Sequence, residues 1–144
     1  MPRNVIYQGD LDALLEQYRD QFVMDGECAK LPQFFTDVGH TSRWQPGPRV
    51  VDLAYLNPGT VIANFVFEQG RARYPNQHGY HAALFDRFEH RLLSNGQSSS
   101  FYMVDQWVGK AISTRPVIGY TPAQAGSLIH PCDNANEFYV VVVP

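Results

Sequence analysis

The chain predicts an α+β fold, with N-terminal helices packed on a small antiparallel β-sheet. Three observations lead there. The first forty residues carry helical apolar spacing, the rest carry short β-branched and aromatic segments cut by turn residues, and no linker splits the chain. Helices first and neighbouring strands afterwards is the order of an α+β protein. At 144 residues the chain has the length of one domain, so residues 1–144 are read as a single unit. A chain of that size hides roughly 70% of its unfolded surface. With 44% hydrophobic and 13% aromatic residues it has the side chains to fill a core, which excludes intrinsic disorder.

Residues 10–23 place Leu11, Leu14, Leu15, Tyr18 and Phe22 close to the i, i+3, i+4, i+7 pattern of a helix, with Asp10 as N-cap. A second helix is expected from Cys28 to Val38, stopped by Gly39. Pro32 fits it only within the first turn, which puts Cys28 at the helix start. Trp44 to Pro58 is rich in Pro and Gly and reads as loop. Strands are expected at Thr60–Glu68, His81–Phe88, Phe101–Trp107, Ala111–Ile118 and Glu137–Val143. Turn signals separate them at Gln69-Gly70, Ser94-Asn95-Gly96, Val108-Gly109 and Pro122, and Ser98–Ser100 form a polar loop tip.

Net charge is −3, and the pI of about 5.9 lacks the dense basic surface that nucleic-acid backbone requires. The longest apolar runs fall far short of the roughly 20 residues that span a bilayer, so no membrane insertion is expected. Residues 1–10 hold no 7–15-residue apolar region of a secretory signal, so the chain is expected to stay in the cytoplasm or to leave by a route that reads no such signal. Cys28 and Cys132 are too few for a disulfide framework.

Cys28 follows the Asp25-Gly26-Glu27 turn. At a helix start, unpaired N–H groups and partial positive charge lower a thiol's pKa and favour the thiolate. The same N–H groups suit an oxyanion formed when that sulfur attacks a carbonyl. His81 stands at a strand start after Gly79-Tyr80, and Asp105 near the end of the next strand. If those strands pair, the carboxylate reaches one ring nitrogen of His81 while the other faces the thiol, fixing the tautomer and stabilising the imidazolium. A competing zinc set would draw on His78, His81, His130 and Cys132, but i and i+3 face opposite sides of a strand and no CxxC pair supports it. The expectation is no metal and no cofactor. A Cys28–Cys132 disulfide would silence the nucleophile, so Cys132 is expected free or weakly exposed. His40 and His90 lie in polar settings and carry no signal.

Cys, His and Asp in this order resemble the NlpC-type cysteine peptidases, a compact branch of the papain-like fold. Gly26-Glu27-Cys28, His78–Leu84 (HGYHAAL), Val104–Trp107 (VDQW) and Pro58–Ala63 (PGTVIA) resemble more narrowly the amidase effectors delivered by type VI secretion, in the subgroup that cuts peptidoglycan cross-links. The resemblance covers roughly residues 25 to 118. It implies a single catalytic domain that hydrolyses amide bonds in peptidoglycan, with Cys28 as nucleophile, His81 as general base and acid, and Asp105 as orienting carboxylate. It implies manufacture in the cytoplasm, injection into a rival's periplasm through a secretion apparatus component, and a cognate immunity protein. Papain relatives place an oxyanion-hole glutamine six residues before the cysteine; here that position is Phe22, with Gln21 one residue off. Gln106 is an alternative for the third catalytic role. Arg73, with Arg71 beside it, is a candidate for stem-peptide carboxylates, and Tyr80 and Trp107 for substrate contact. Two rivals remain: another papain-like acyl transferase or hydrolase, and a non-enzymatic cell-wall-binding module whose Tyr74, Tyr80 and Trp107 would stack on sugars.

Overall fold

Five residues near the C-terminus, Tyr-Val-Val-Val-Val, form the strand that three others join. A computed structural model of the protein describes residues 1–89 and 100–144; His90, the Ser94-Asn95-Gly96 turn and Ser98–Ser99 lie outside them. The valine strand β9 (Tyr139–Val143) pairs antiparallel with β1 (Arg3–Asn4), β2 (Gln45–Arg49) and β3 (Val61–Ala63). The sheet continues through β6 (Ala82–Phe88), β7 (Ser100–Trp107) and β8 (Lys110–Ile118), every pair antiparallel. β4 (Val66–Glu68) and β5 (Arg71–Arg73) form a separate hairpin about the expected Gln69-Gly70 turn. The protein is α+β, mostly antiparallel sheet with few and short helices.

Both expected helices are present but shorter. α1 spans Leu11–Gln17, and the Asp10 side chain accepts from the Ala13 N–H as its N-cap. Asp20 at φ 60° breaks the helical path, and the Gln21 carbonyl accepts from the Ile112 N–H at 2.8 Å, so residues after Tyr18 are drawn to β8. α2 spans Lys30–Phe35 and ends at Thr36 rather than Gly39, because the Thr36 hydroxyl donates to the Pro32 carbonyl at 2.7 Å and accepts from the Val38 N–H. Leu11, Leu14 and Leu31 share one buried cluster with Ala63, Ala82, Leu84 and Val104.

Four further expectations are corrected. The Pro-rich segment read as loop contains β2, with Pro46 opposite Val141 and a bulge before Arg49; proline, which lacks an N–H, is tolerated at such edges and bulges. Thr60–Glu68 is two strands, since the chain leaves the main sheet after Ala63, where the buried Asn64 turns its side chain to other work. Pro122 opens a short helix, α3 (Pro122–Ala125), closed by a Thr121/Gln124 capping box. Ser100, expected in a loop tip, is buried in β7 and donates to Glu89 at 2.8 Å.

Candidate active site

Strand β7 sets the site from two neighbouring residues. Gln106, fully buried, accepts from the Val23 N–H at 2.9 Å and donates to the Val23 and Glu27 carbonyls at 3.1 and 2.9 Å. It thereby clamps both ends of the loop that delivers Cys28. Gly26, at φ +86°, supplies the turn in that loop. Gln106 is spent on this clamp rather than on His81. Asp105, also fully buried, accepts from His81 Nε2 at 2.7 Å. Leu84 opposite Val104 sets the register of β6 on β7 and brings the His81 end of β6 up beside Asp105.

His81 is 4% exposed. Its N–H donates to Asn64 Oδ1 and its carbonyl accepts from the Asn64 N–H, both at 2.9 Å. The Asn64 amide donates in turn to the Pro131 and Glu137 carbonyls. Gly79, at φ +92° two residues before His81, lies so close to His130 that a Cβ would stand 3.1 Å from its Nδ1. With Nε2 bound to Asp105, Nδ1 is the ring nitrogen left for the thiol.

Cys28, His81 and Arg115 line one cleft of about 550 Å³, together with Tyr74, Tyr80, Trp107 and Cys132. The structure therefore brings together Cys28, His81, Asp105, Tyr80 and Trp107. Trp107 stands edge-on to His81 with ring centres 6.0 Å apart, and the Tyr80 carbonyl lies 4.0 Å from Cys28 Sγ. Arg73 is not brought in: it sits exposed in the β4–β5 hairpin, 3.9 Å from Glu68. Among the described residues, the guanidinium that lines the cleft is that of Arg115.

The electrostatics favour a charged pair. Burial pushes the Cys28 thiol up, but the hydrogen bond and charge of His81, then the Tyr74 hydroxyl and the Ala82 N–H, outweigh it, and the thiol falls below its usual range. Burial likewise opposes the imidazolium, yet the hydrogen bonds it donates to Asp105 and Cys28 raise His81 above its usual value. The expected source of the thiol's activation thus changes. α2 has six residues and begins two positions after Cys28, so the imidazole and the phenol, rather than a long helix, are what stabilise the thiolate. Burial also opposes the Asp105 carboxylate, but His81, Arg115 and Lys110 lower it to about 2. Lys110 Nζ lies 2.6 Å from Oδ1 and Arg115 Nε 2.9 Å from Oδ2.

Cys132 is free, and burial with the nearby Asp133 pushes its thiol up to about 11, so it stays protonated and a poor nucleophile at neutral pH. The His78 and His130 rings meet edge-on at 5.4 Å. Among the described residues no three His, Cys, Asp or Glu side chains gather as metal ligands.

Comparison with known proteins follows the same lines. The family described as domesticated amidase effector 2 matches residues 13–141. The chain belongs to that family. A type VI secretion amidase effector 2 protein of Salmonella typhi is 29% identical over 123 residues, covering 80% of this chain and 84% of the relative. The solved structure of a type 6 secretion amidase effector 2 (Tae2) superposes with a TM-score of 0.64 at 29% identity, over 82% of this chain and 81% of the other. Membership in the domesticated amidase effector 2 family bears out the resemblance read from GEC, HGYHAAL and VDQW, and with it an antibacterial amidase effector that acts on peptidoglycan.

Sequence reasoning missed Asn64, Lys110 and Arg115, and read Tyr74 only as a sugar-stacking aromatic of the wall-binding alternative. Lys110 was within reach of it: a Val108-Gly109 turn pairs Trp107 with Lys110, which puts that ammonium next to Asp105. Arg115 faces Met103, one position diagonal from Asp105 on the same face, and was legible only once the register was known.

Proposed function

We propose that the chain hydrolyses its amide bond by cysteine chemistry, with Cys28 as nucleophile, His81 as base and acid, and Asp105 as the group that orients the ring. The observation that carries this reading is the 2.7 Å bond from His81 Nε2 to a fully buried Asp105, in a cleft that His81 shares with Cys28. The Cys28 thiolate attacks the amide carbonyl carbon. His81, protonated at Nδ1, gives that proton to the leaving amine as the carbon–nitrogen bond breaks, leaving a thioester on Cys28. Water then attacks the thioester, His81 takes its proton, and the acid departs as the thiolate is restored. Throughout, Asp105 holds Nε2–H and balances the imidazolium charge.

The substrate bond is an amide of the peptidoglycan stem peptides or their cross-links, reached in the periplasm of a target bacterium after export through the secretion apparatus. Tyr80 and Trp107 on the cleft wall meet the peptide. The producing cell carries a cognate immunity protein. Digestion of purified peptidoglycan, with fragment masses read by mass spectrometry, tests this. New amine and carboxylate ends are expected with wild-type protein and none with a folded Cys28→Ala. Cross-links left intact by both would overturn the amidase reading in favour of a wall-binding module, and activity retained in Cys28→Ala would overturn the nucleophile.

A further inference from the structure

Hydrolysis through Cys28 needs donors for the carbonyl oxygen that turns negative on attack, and the glutamine of the papain pattern does not supply one. Phe22 occupies its position and is 59% exposed. The backbone of neighbouring Gln21 is tied to β8 through Ile112, and neither residue lines the cleft. Gln106 is consumed by its clamp on Val23 and Glu27.

We propose that the Tyr74 hydroxyl fills this role, as a further catalytic group that donates a hydrogen bond to the oxyanion; the inference rests on the amidase reading above. The hydroxyl lies 3.3 Å from Cys28 Sγ and lines the same cleft. A thiolate has no proton, so against Cys28 in its anionic form the phenol is the donor. When sulfur bonds to the carbonyl carbon, the negative charge moves from Sγ to the carbonyl oxygen two bonds away, and the same O–H follows it. No proton is transferred by Tyr74: the carbonyl π pair becomes the oxyanion lone pair, and its return expels the amine, which is protonated by His81.

The donor is fixed beforehand. Tyr74 is 7% exposed, and its ring packs 5.1 Å from that of Trp44, whose indole N–H donates to the Gly39 carbonyl at 3.1 Å. A donor already oriented costs no reorganisation during reaction, which is what makes such groups effective. Burial, then the charge of Cys28, raises the Tyr74 phenol well above its usual range, so it keeps its proton wherever the enzyme works.

Tyr74→Phe removes one oxygen and leaves the ring against Trp44. Two rates are measured on it and on wild type: hydrolysis of purified peptidoglycan, and alkylation of Cys28 by iodoacetamide, which displaces iodide at a saturated carbon and forms no oxyanion. The expected result is a loss of about 100-fold or more in hydrolysis, carried by kcat with KM little changed, while alkylation stays within several-fold. Hydrolysis within about twofold of wild type overturns the role, and a parallel loss of both rates overturns it too, since Tyr74 would then act on the thiolate alone. Wild-type protein that alkylates readily but leaves peptidoglycan intact overturns the amidase reading itself.

Discussion

Replacing Asp105 with Asn changes little in size and removes the charge that three donors face. His81 Nε2 stands at 2.7 Å, Lys110 Nζ at 2.6 Å and Arg115 Nε at 2.9 Å. The carboxylate's fall from an ordinary 3.8 to about 2 corresponds to roughly 2 kcal/mol of folding stability. Because the folded value is depressed, that stability is fully present above the unfolded value near 3.8 and is lost as pH falls through about 2. Asp105→Asn is therefore expected to lose about 2–3 kcal/mol at neutral pH. That is less than the about 3–5 kcal/mol of a fully buried broken pair, because Lys110 and Arg115 can rehydrate. Catalysis falls further: an amide no longer fixes Nε2–H or balances the imidazolium, and the same exchange in a serine protease triad costs about 10⁴ in kcat. A loss of about 10²–10⁴ in kcat is expected here, read from fragment release over time, with urea denaturation reporting stability. A folded Asp105→Asn with wild-type kcat would refute the orienting role.

Gln106→Leu deprives the Val23 N–H and the Val23 and Glu27 carbonyls of their partner. A stability loss of about 2–4 kcal/mol in denaturation is expected, together with a fall in kcat as the Cys28 loop slackens; an unchanged midpoint would refute the clamp. Lys110→Met removes one cation from Asp105, so its carboxylate titrates higher and acid unfolding followed by circular dichroism begins at a higher pH than in wild type. Arg73→Ala leaves KM within about twofold, since Arg73 faces Glu68 outside the cleft; a several-fold rise would return it to the substrate.

The sequence carried the strands and the meeting of Cys28, His81 and Asp105 well, and for a physical reason. β-branched and aromatic runs broken by Val108-Gly109 and Gln69-Gly70 admit few other readings, and an aspartate inside Val104–Trp107 demands a partner because burying it alone is costly. Helix lengths were less legible. The residues after Tyr18 and after Phe35 keep apolar spacing, but the Gln21 carbonyl bonds to β8 and the Thr36 hydroxyl folds back on Pro32, and these bonds rather than periodicity end the helices. The site's surroundings depended on register. Arg115 reaches Asp105 only across a pair that places Met103 opposite it, and Tyr74 reaches Cys28 from 46 residues away. Arg73, one residue earlier, has the right chemistry and the wrong place, because the β4–β5 hairpin turns it away from the main sheet.

The most direct measurement is the rate of Cys28 alkylation against pH in wild type and in His81→Gln. His81 lowers the thiol, and Asp105 together with Cys28 raises the imidazole, so the ionised pair exists below the ordinary thiol range and above the pH at which the thiolate is reprotonated. Wild type is expected to show fast alkylation at neutral pH that persists into mildly acidic solution, and His81→Gln to lose that limb and react only at alkaline pH. Identical curves for the two proteins, both rising only through the usual thiol range, would contradict a nucleophile activated by His81.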